Sequence, residues 1–253
     1  MSRFSLIYIC AFSFSISILS FFNIIYSNYF NLYLNIDSYI YSLITSFSFG
    51  LVFLLKKKKE FKITIYEKII TVLLGYLILP LFISIPYYFS IYNITFINAY
   101  FEAVSGFTST GFTVFENIKH LDESLILWRS SSQWIGGLYF LFSIILLIDI
   151  FDKNLKKSLT NYLSFNTTET LKQSFKILIL YTLLTFFIFI ILNLFNIRAF
   201  NSFNFALTII SSGGFLPSNN LESIFNTKTK EIVLSLSMLI SFFSLFHVFS
   251  TSP

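Results

Sequence analysis

Residues 101–113 read FEAVSGFTSTGFT and residues 203–215 read FNFALTIISSGGF, two polar, glycine-bearing turns set between long apolar runs. A polar turn at membrane depth is tolerated only where protein buries it or where it lines a water-filled path, so two of them in matching positions predict a conduction path. The chemistry such turns can do is cation ligation. A monovalent cation crossing lipid must exchange its water shell for oxygen ligands, and neutral backbone carbonyls supply these without trapping the ion as a carboxylate ring would. Inward-facing carbonyls on successive residues need backbone torsions that a side chain usually forbids, which is why glycine belongs in such a turn. Thr108, Ser109, Thr110, Gly111 and Phe112 offer one set of carbonyls, and Ile210, Ser211, Ser212, Gly213 and Gly214 a second. Their hydroxyls are at hand to brace the turn or add a ligand.

The elements that must hold these turns are helical. A helix needs roughly 20 apolar residues to cross a hydrocarbon core of about 30 Å. Runs 4–26, 39–55, 69–89, 125–150, 175–197 and 231–250 have that character and predict six transmembrane helices. Two shorter runs, 96–107 and 200–210, are too short to cross and predict re-entrant half-helices. Each stops at a Ser/Thr/Gly cluster, because glycine ends helices and hydroxyls compete for backbone hydrogen bonds. A half-helix entering from outside aims its carboxyl end, the negative end of its dipole, at the centre, where it suits a cation. The expected fold class is therefore an all-α membrane protein with six transmembrane helices plus two re-entrant pore half-helices. Its organisation reads as two leading helices in 1–60, a first helix, pore-loop, helix unit in 61–152, a cytoplasmic linker in 153–174 and a second unit in 175–253. Setting Gly111 against Gly213 gives a repeat offset of 102 residues, which also pairs Phe101 with Phe203, Ser109 with Ser211 and Thr110 with Ser212.

Composition excludes most other classes. The chain is 55% hydrophobic and only 11% charged, where a soluble domain carries roughly 25% charge. The first run is longer than a signal-peptide core and no small-residue cleavage site follows it, so it reads as a retained span. With the amino terminus on the cytoplasmic side, the inner segments hold Arg3, Lys56, Lys57, Lys58, Lys59, Lys62, Lys68, Lys153, Lys156, Lys157, Lys172 and Lys176, against Lys119, Arg129, Arg198, Lys228 and Lys230 outside. That bias satisfies the positive-inside rule and gives a multi-pass protein of the cytoplasmic (inner) membrane with both turns entered from the outer face. The net charge of +5 then reports topology, and no nucleic-acid partner is expected. Cys10 is the single cysteine, which rules out an intrachain disulfide and a thiol metal centre. His120 and His247 lie far apart, Glu102 and Asp149 are the acids near or in the membrane, and no phosphate-binding glycine loop follows a strand. The chain is accordingly not expected to be an enzyme or to carry a cofactor.

Three stretches in order, SGFTSTGFT at 105–113, LWRSSSQWIGG at 127–137 and ISSGGF at 210–215, resemble the TrkH/KtrB/HKT superfamily of potassium transporters, and the similarity runs over essentially the whole chain. The resemblance implies a potassium path lined by helix, pore-loop, helix units, with two extra leading helices as in the TrkH branch. Potassium would be the substrate. Residues 108–112 and 210–214 would be selectivity filters, with Gly111 and Gly213 as the filter glycines, and the Ser211-Ser212 pair stands where a Thr is usual. Glu102, Arg129, Gln133, Trp134, Gly136 and Gly137 would support the filters from behind, Glu102 through an ion pair with Arg129. Family members have four such units, and this sequence reaches Pro253 directly after the second. The expectation is a fragment, a half-transporter that needs a second chain, or a homodimer with four loops, the first of these non-conducting. A cytoplasmic nucleotide-binding ring of the TrkA or KtrA type is the implied regulatory partner, docking on 151–174, and membrane lipid is the other.

Overall fold

The computed structural model describes residues 3–55, 65–147 and 167–250, and among them every regular element is helical. Eight α-helices follow in order: α1 (Arg3–Tyr29), α2 (Ile36–Leu55), α3 (Ile65–Ser90), α4 (Phe96–Phe107), α5 (Glu123–Leu147), α6 (Thr167–Leu194), α7 (Ala199–Ile210) and α8 (Lys228–Ser250). Helices α4 and α7 have 12 residues each, which at 1.5 Å per residue reach only about 18 Å. Among the described residues three helices are long and apolar enough to cross a membrane, within α1 (Tyr8–Tyr29), α3 (Tyr66–Ser90) and α6 (Phe175–Leu194). Their outward faces stay apolar, with Ile18, Phe21, Leu73, Leu77, Leu183 and Phe186 all exposed. A helix that is greasy on its outer side as well as its inner one is solvated by lipid. The molecule is a multi-pass membrane protein.

Backbone groups freed inside α3 show how such a helix is kept satisfied. Pro86 cannot donate to the carbonyl of Phe82 four residues earlier, and the Ser42 hydroxyl of α2 takes that carbonyl at 2.9 Å. Nearby, the Trp128 indole N–H of α5 reaches the Ile83 carbonyl at 3.0 Å. Helices α1 and α2 close on one another through short hydroxyl side chains. The Ser13 hydroxyl donates to the Ser46 carbonyl at 2.5 Å, and the hydroxyls of Ser17 and Ser46 pair at 2.7 Å. Small residues let two backbones approach, and their hydroxyls supply interhelical hydrogen bonds where lipid offers none.

Helix α5 is the centre of the packing. It touches α1, α3, α4, α6 and α7, and its Leu125, Trp128, Ile135 and Tyr139 are buried. The Tyr139 hydroxyl donates to the Val72 carbonyl at 2.9 Å and occupies the space that a side chain at Gly75 would fill.

The short helices lie where the sequence puts them, while the start of α6 and the repeat offset differ. Helix α6 starts at Thr167, inside the segment read as linker, because TTETLKQS carries no helix breaker. Residues 148–166 and Lys56 to Lys59 lie outside the described residues, as does the side chain of His247. The repeat offset is 103 rather than 102. Asn93 (φ 61°) and Asn196 (φ 57°) are left-handed before each short helix, Ser109 (φ 56°) and Ser212 (φ 53°) after it, and α4 and α7 themselves start and stop 103 residues apart. Pairing Gly111 with Gly213, the first glycine of the second turn, misplaces the frame by one residue; the counterpart of Gly111 is Gly214. The backbone register is set instead by the left-handed residue that closes each helix, and here a serine occupies that position.

Candidate functional site

Loop 1 leaves α4 through a tight helix end. The Ser109 amide donates to the Gly106 carbonyl at 2.9 Å and the Thr110 amide to the Ser105 carbonyl at 3.1 Å. This double closure with a left-handed residue satisfies the last carbonyls of the helix. The chain then turns again at Gly111 (φ 77°), where a Cβ would lie 2.5 Å from the Gly214 Cα. Glycine is required there on both counts, for its torsion and for the close approach of the two loops. Hydroxyls knit the loop to its own helix: Ser105 Oγ donates to the Phe112 carbonyl at 2.5 Å and pairs with Thr110 Oγ1 at 3.1 Å.

Behind loop 1 sits a buried ion pair. Glu102 and Arg129 are 0% and 1% exposed, with Arg129 Nε 2.9 Å from Glu102 Oε1. The carboxylate also accepts from the Thr113 hydroxyl, 3.0 Å to either oxygen, and from the Val114 amide at 3.0 Å. A buried charge pair is tolerable only when further hydrogen bonds use its remaining lone pairs and protons, and here they do. Arg129 Nη2 donates to Thr113 Oγ1 at 3.1 Å, and the guanidinium lies 4.2 Å from the Phe215 ring centroid.

Loop 2 leaves α7 with the same closure. The Ser212 amide donates to the Ile209 carbonyl at 3.0 Å and the Gly213 amide to the Thr208 carbonyl at 2.7 Å. The stretch equivalent to 108–112 is thus 211–215, one residue later than the sequence reading of 210–214. Ile210 is the last residue of α7 and is buried, 1% exposed. The two loops then diverge. Gly214, the counterpart of Gly111, does not take a left-handed torsion. Phe112 is 73% exposed, whereas its counterpart Phe215 is 2% exposed beneath Arg129. Position 205, equivalent to Glu102, is a phenylalanine.

Support for loop 2 comes from α5. The Gln133 side-chain oxygen accepts from the Phe215 amide at 3.2 Å, and one turn earlier Arg129 Nη1 reaches the Leu216 carbonyl at 3.5 Å. Gly136 lies against the Phe107 carbonyl at the end of α4, where any Cβ would overlap backbone, and a Cβ at Gly137 would stand 2.8 Å from that of Ser211. Trp134 faces the other way, its indole N–H donating to the Thr185 hydroxyl of α6 at 3.0 Å. Of the supporting residues read from the sequence, then, Glu102, Arg129, Gln133, Gly136 and Gly137 meet the two loops, and Trp134 locks α5 to α6.

The loops face one another beneath a cavity of about 320 Å³ lined by Gly111, Thr113, Glu116, Arg129, Gly214 and Asn219 among others. Asn219 ties the loop ends together, accepting from the Ile118 amide and donating to Asn117 Oδ1, each at 2.7 Å. Thr108, Thr110, Phe112, Ser212 and Gly214 are exposed. Among the described residues nothing donates to the carbonyl oxygens of 108–111 or 211–214. Sequence reasoning missed Ser105, Thr113 and the Asn117–Asn219 pair. Ser105 and Thr113 lie inside the motif that marks loop 1, so their positions were available. The asparagines carry no local signal.

An all-helical membrane protein with two short helices ending at facing, glycine-bearing loops is the class that fold and site define. No protein-family model matches the chain. It is similar to an uncharacterized cation transporter of Methanocaldococcus jannaschii, 27% identical over 232 residues, which cover 86% of this chain and 47% of that one. It is also similar to the Trk system potassium uptake protein TrkG of Escherichia coli, 30% identical over 62% of this chain and 34% of TrkG. The crystal structure of the potassium transporter TrkH from Vibrio parahaemolyticus has the same fold with a TM-score of 0.74 at 18% identity, over 94% of this chain and 49% of TrkH. Over the part that it spans, the chain is similar in sequence to Trk-type cation transporters and shares the fold of TrkH. It covers about half the length, or less, of the relatives it matches.

Proposed function

We propose that loops 1 and 2 form part of the wall of a path for monovalent cations, with potassium as the substrate, in an ion-translocating protein of the Trk type. The observation that carries this reading is the set of unspent carbonyls at 108–111 and 211–214 on two facing loops. Peptide oxygens without donors at membrane depth are costly, and a partly dehydrated cation is the ligand that suits them. Hydroxyls brace the loops instead of competing for the ion: Thr110 turns back to the Ser105 carbonyl of α4, Ser105 Oγ reaches out to the Phe112 carbonyl, and Ser211 Oγ donates to the Leu207 and Thr208 carbonyls, each at 3.0 Å. On this reading the six long helices all span, α4 and α7 are re-entrant from the outer face, and the amino terminus is cytoplasmic, as the Lys and Arg bias requires.

The exposed side of both loops leaves room for further pore-lining segments. These come from additional units of the same polypeptide, a second chain, or a second copy of this one, and a cytoplasmic nucleotide-binding ring of the TrkA or KtrA type gates the assembly. The alternative is a non-conducting fragment or a half-transporter subunit that needs a second chain carrying the remaining pore units. The test is rubidium uptake into proteoliposomes holding the purified chain, sized beforehand, with Gly111→Ala and Gly213→Ala as controls. Uptake that either substitution abolishes supports a cation path built from copies of this chain. Well-inserted protein without uptake favours the half-transporter, and uptake indifferent to both substitutions removes the loops from the path.

A further inference from the structure

Gln133 is 0% exposed, yet its amide makes a single hydrogen bond, to the Phe215 amide, and its Nε2 finds no partner among the described residues. A buried amide left half-satisfied is costly enough to need a reason. An apolar side chain of similar length would fill the space between α5 and loop 2 but would strip the buried Phe215 amide of its acceptor, so the clasp is what the glutamine supplies. The amide lies flat against Gly213: a Cβ there would overlap its oxygen and carbon and stand 2.8 Å from its nitrogen. Gln133 and Gly213 are therefore interlocked, the glycine being the vacancy into which the amide fits. The Ser212 and Gly213 amides are already committed to α7, so the clasp at Phe215 is the next fixed point along the loop. Between the closure on α7 and that clasp lie the loop 2 carbonyls that take no donor.

We infer that Gln133 is the positioning residue that holds loop 2 back against α5, keeping its carbonyls too far apart to close on an ion smaller than potassium. This rests on the cation path proposed above. A carbonyl set tethered at both ends cannot contract around sodium, whereas one freed at Phe215 can. Loop 1 has no need of such a clasp, since Ser105 and the Glu102 carboxylate hold it from its own helix.

Hydrogen exchange of the full chain in lipid nanodiscs, read by mass spectrometry in potassium chloride or in sodium chloride of equal strength, tests the inference. In the unsubstituted chain potassium slows exchange across 211–215 more than sodium does. Gln133→Leu speeds exchange of the Phe215 amide by about tenfold, the effect of one lost hydrogen bond, and erases the difference between the ions at loop 2 while loop 1 keeps its own. Gln133→Glu retains the acceptor and keeps part of the difference. Gln133→Asn, one methylene short of Phe215, behaves as the leucine variant and stands in for it if that variant does not fold. The inference is overturned if Gln133→Leu or Gln133→Asn preserves the potassium-over-sodium difference at loop 2, or if ions protect loop 1 and never loop 2. If neither ion alters exchange at either loop of the unsubstituted chain, a cation path built from copies of this chain falls, and this inference with it.

Discussion

Loops 1 and 2 begin with one backbone and end with two. Both leave a 12-residue helix through a left-handed serine and the same pair of back-turning amides. Loop 1 then finds its support on its own helix, in the hydroxyls of Ser105 and Thr110 and in the Glu102 carboxylate six residues before Thr108, with Arg129 of α5 pairing that carboxylate from behind. Loop 2 has Phe205 where that carboxylate would stand and Gly213 where the Thr110 hydroxyl would, and it borrows support from Arg129 and Gln133 of α5. Duplicated backbones therefore need not carry duplicated bracing. What an element must conserve is the closure of its helix, and what holds the far end of the loop is free to come from any neighbour that packs there.

The sharpest way to break the contrast is Arg129→Met, which leaves Glu102 charged and buried with only the Thr113 hydroxyl and the Val114 amide. Removing one partner of such a pair costs about 3–5 kcal/mol, and adding Glu102→Gln in the same chain recovers part of the loss. Thermal and denaturant unfolding in detergent measure both. A single substitution that leaves stability unchanged would mean that the pair is not the brace of loop 1.

Next in size are the two glycines. Gly111→Ala forces a Cβ against the Gly214 backbone at a left-handed torsion, a strain of about 2–4 kcal/mol with nowhere to relax. Gly213→Ala meets the movable end of Gln133 instead and costs about 1–2 kcal/mol. The comparison is sharpened by a double-mutant cycle: Gln133→Ala relieves the Gly213→Ala cost and leaves that of Gly111→Ala untouched. Equal behaviour of the two glycines in that background would contradict the interlock.

The smallest effect tests what the loops share. Ser109 and Ser212 hold left-handed torsions at φ 56° and 53°, which cost a side-chain-bearing residue about 1–2 kcal/mol and glycine almost nothing. After allowance for the freedom glycine gains when unfolded, Ser109→Gly and Ser212→Gly each stabilise by about 0.5–1 kcal/mol. The same unfolding measurement should return matching values for the two. A clear difference would show that the common backbone closure is not equally strained.

Much of this was legible in order of residues alone. The apolar runs located the eight helices to within a few residues, apart from the early start of α6, because helix length in lipid is dictated by the thickness to be crossed and by the lack of any other donor for the backbone. The short runs at 96–107 and 200–210 and the glycine-bearing turns after them marked both loops. The frame of the second loop was not legible, since a serine takes the left-handed position and two adjacent glycines, Gly213 and Gly214, offer registers one residue apart.

The sequence by itself determined that this chain lives in lipid, that its helices come in long and short forms, and that two turns rich in hydroxyls and glycine end the short ones. Those properties follow from local chemistry: apolar length, helix termination and the torsions a residue can adopt. Only the tertiary structure decided that Arg129 and Gln133 of α5 reach the second loop, that Thr113 and the Val114 amide close around the Glu102 carboxylate, and that the second loop is held from outside its own helix. Such pairings depend on which faces of distant helices meet. Packing of small residues against backbone settles that, at Gly136 on Phe107 and Gly137 on Ser211, and no spacing within one segment encodes it.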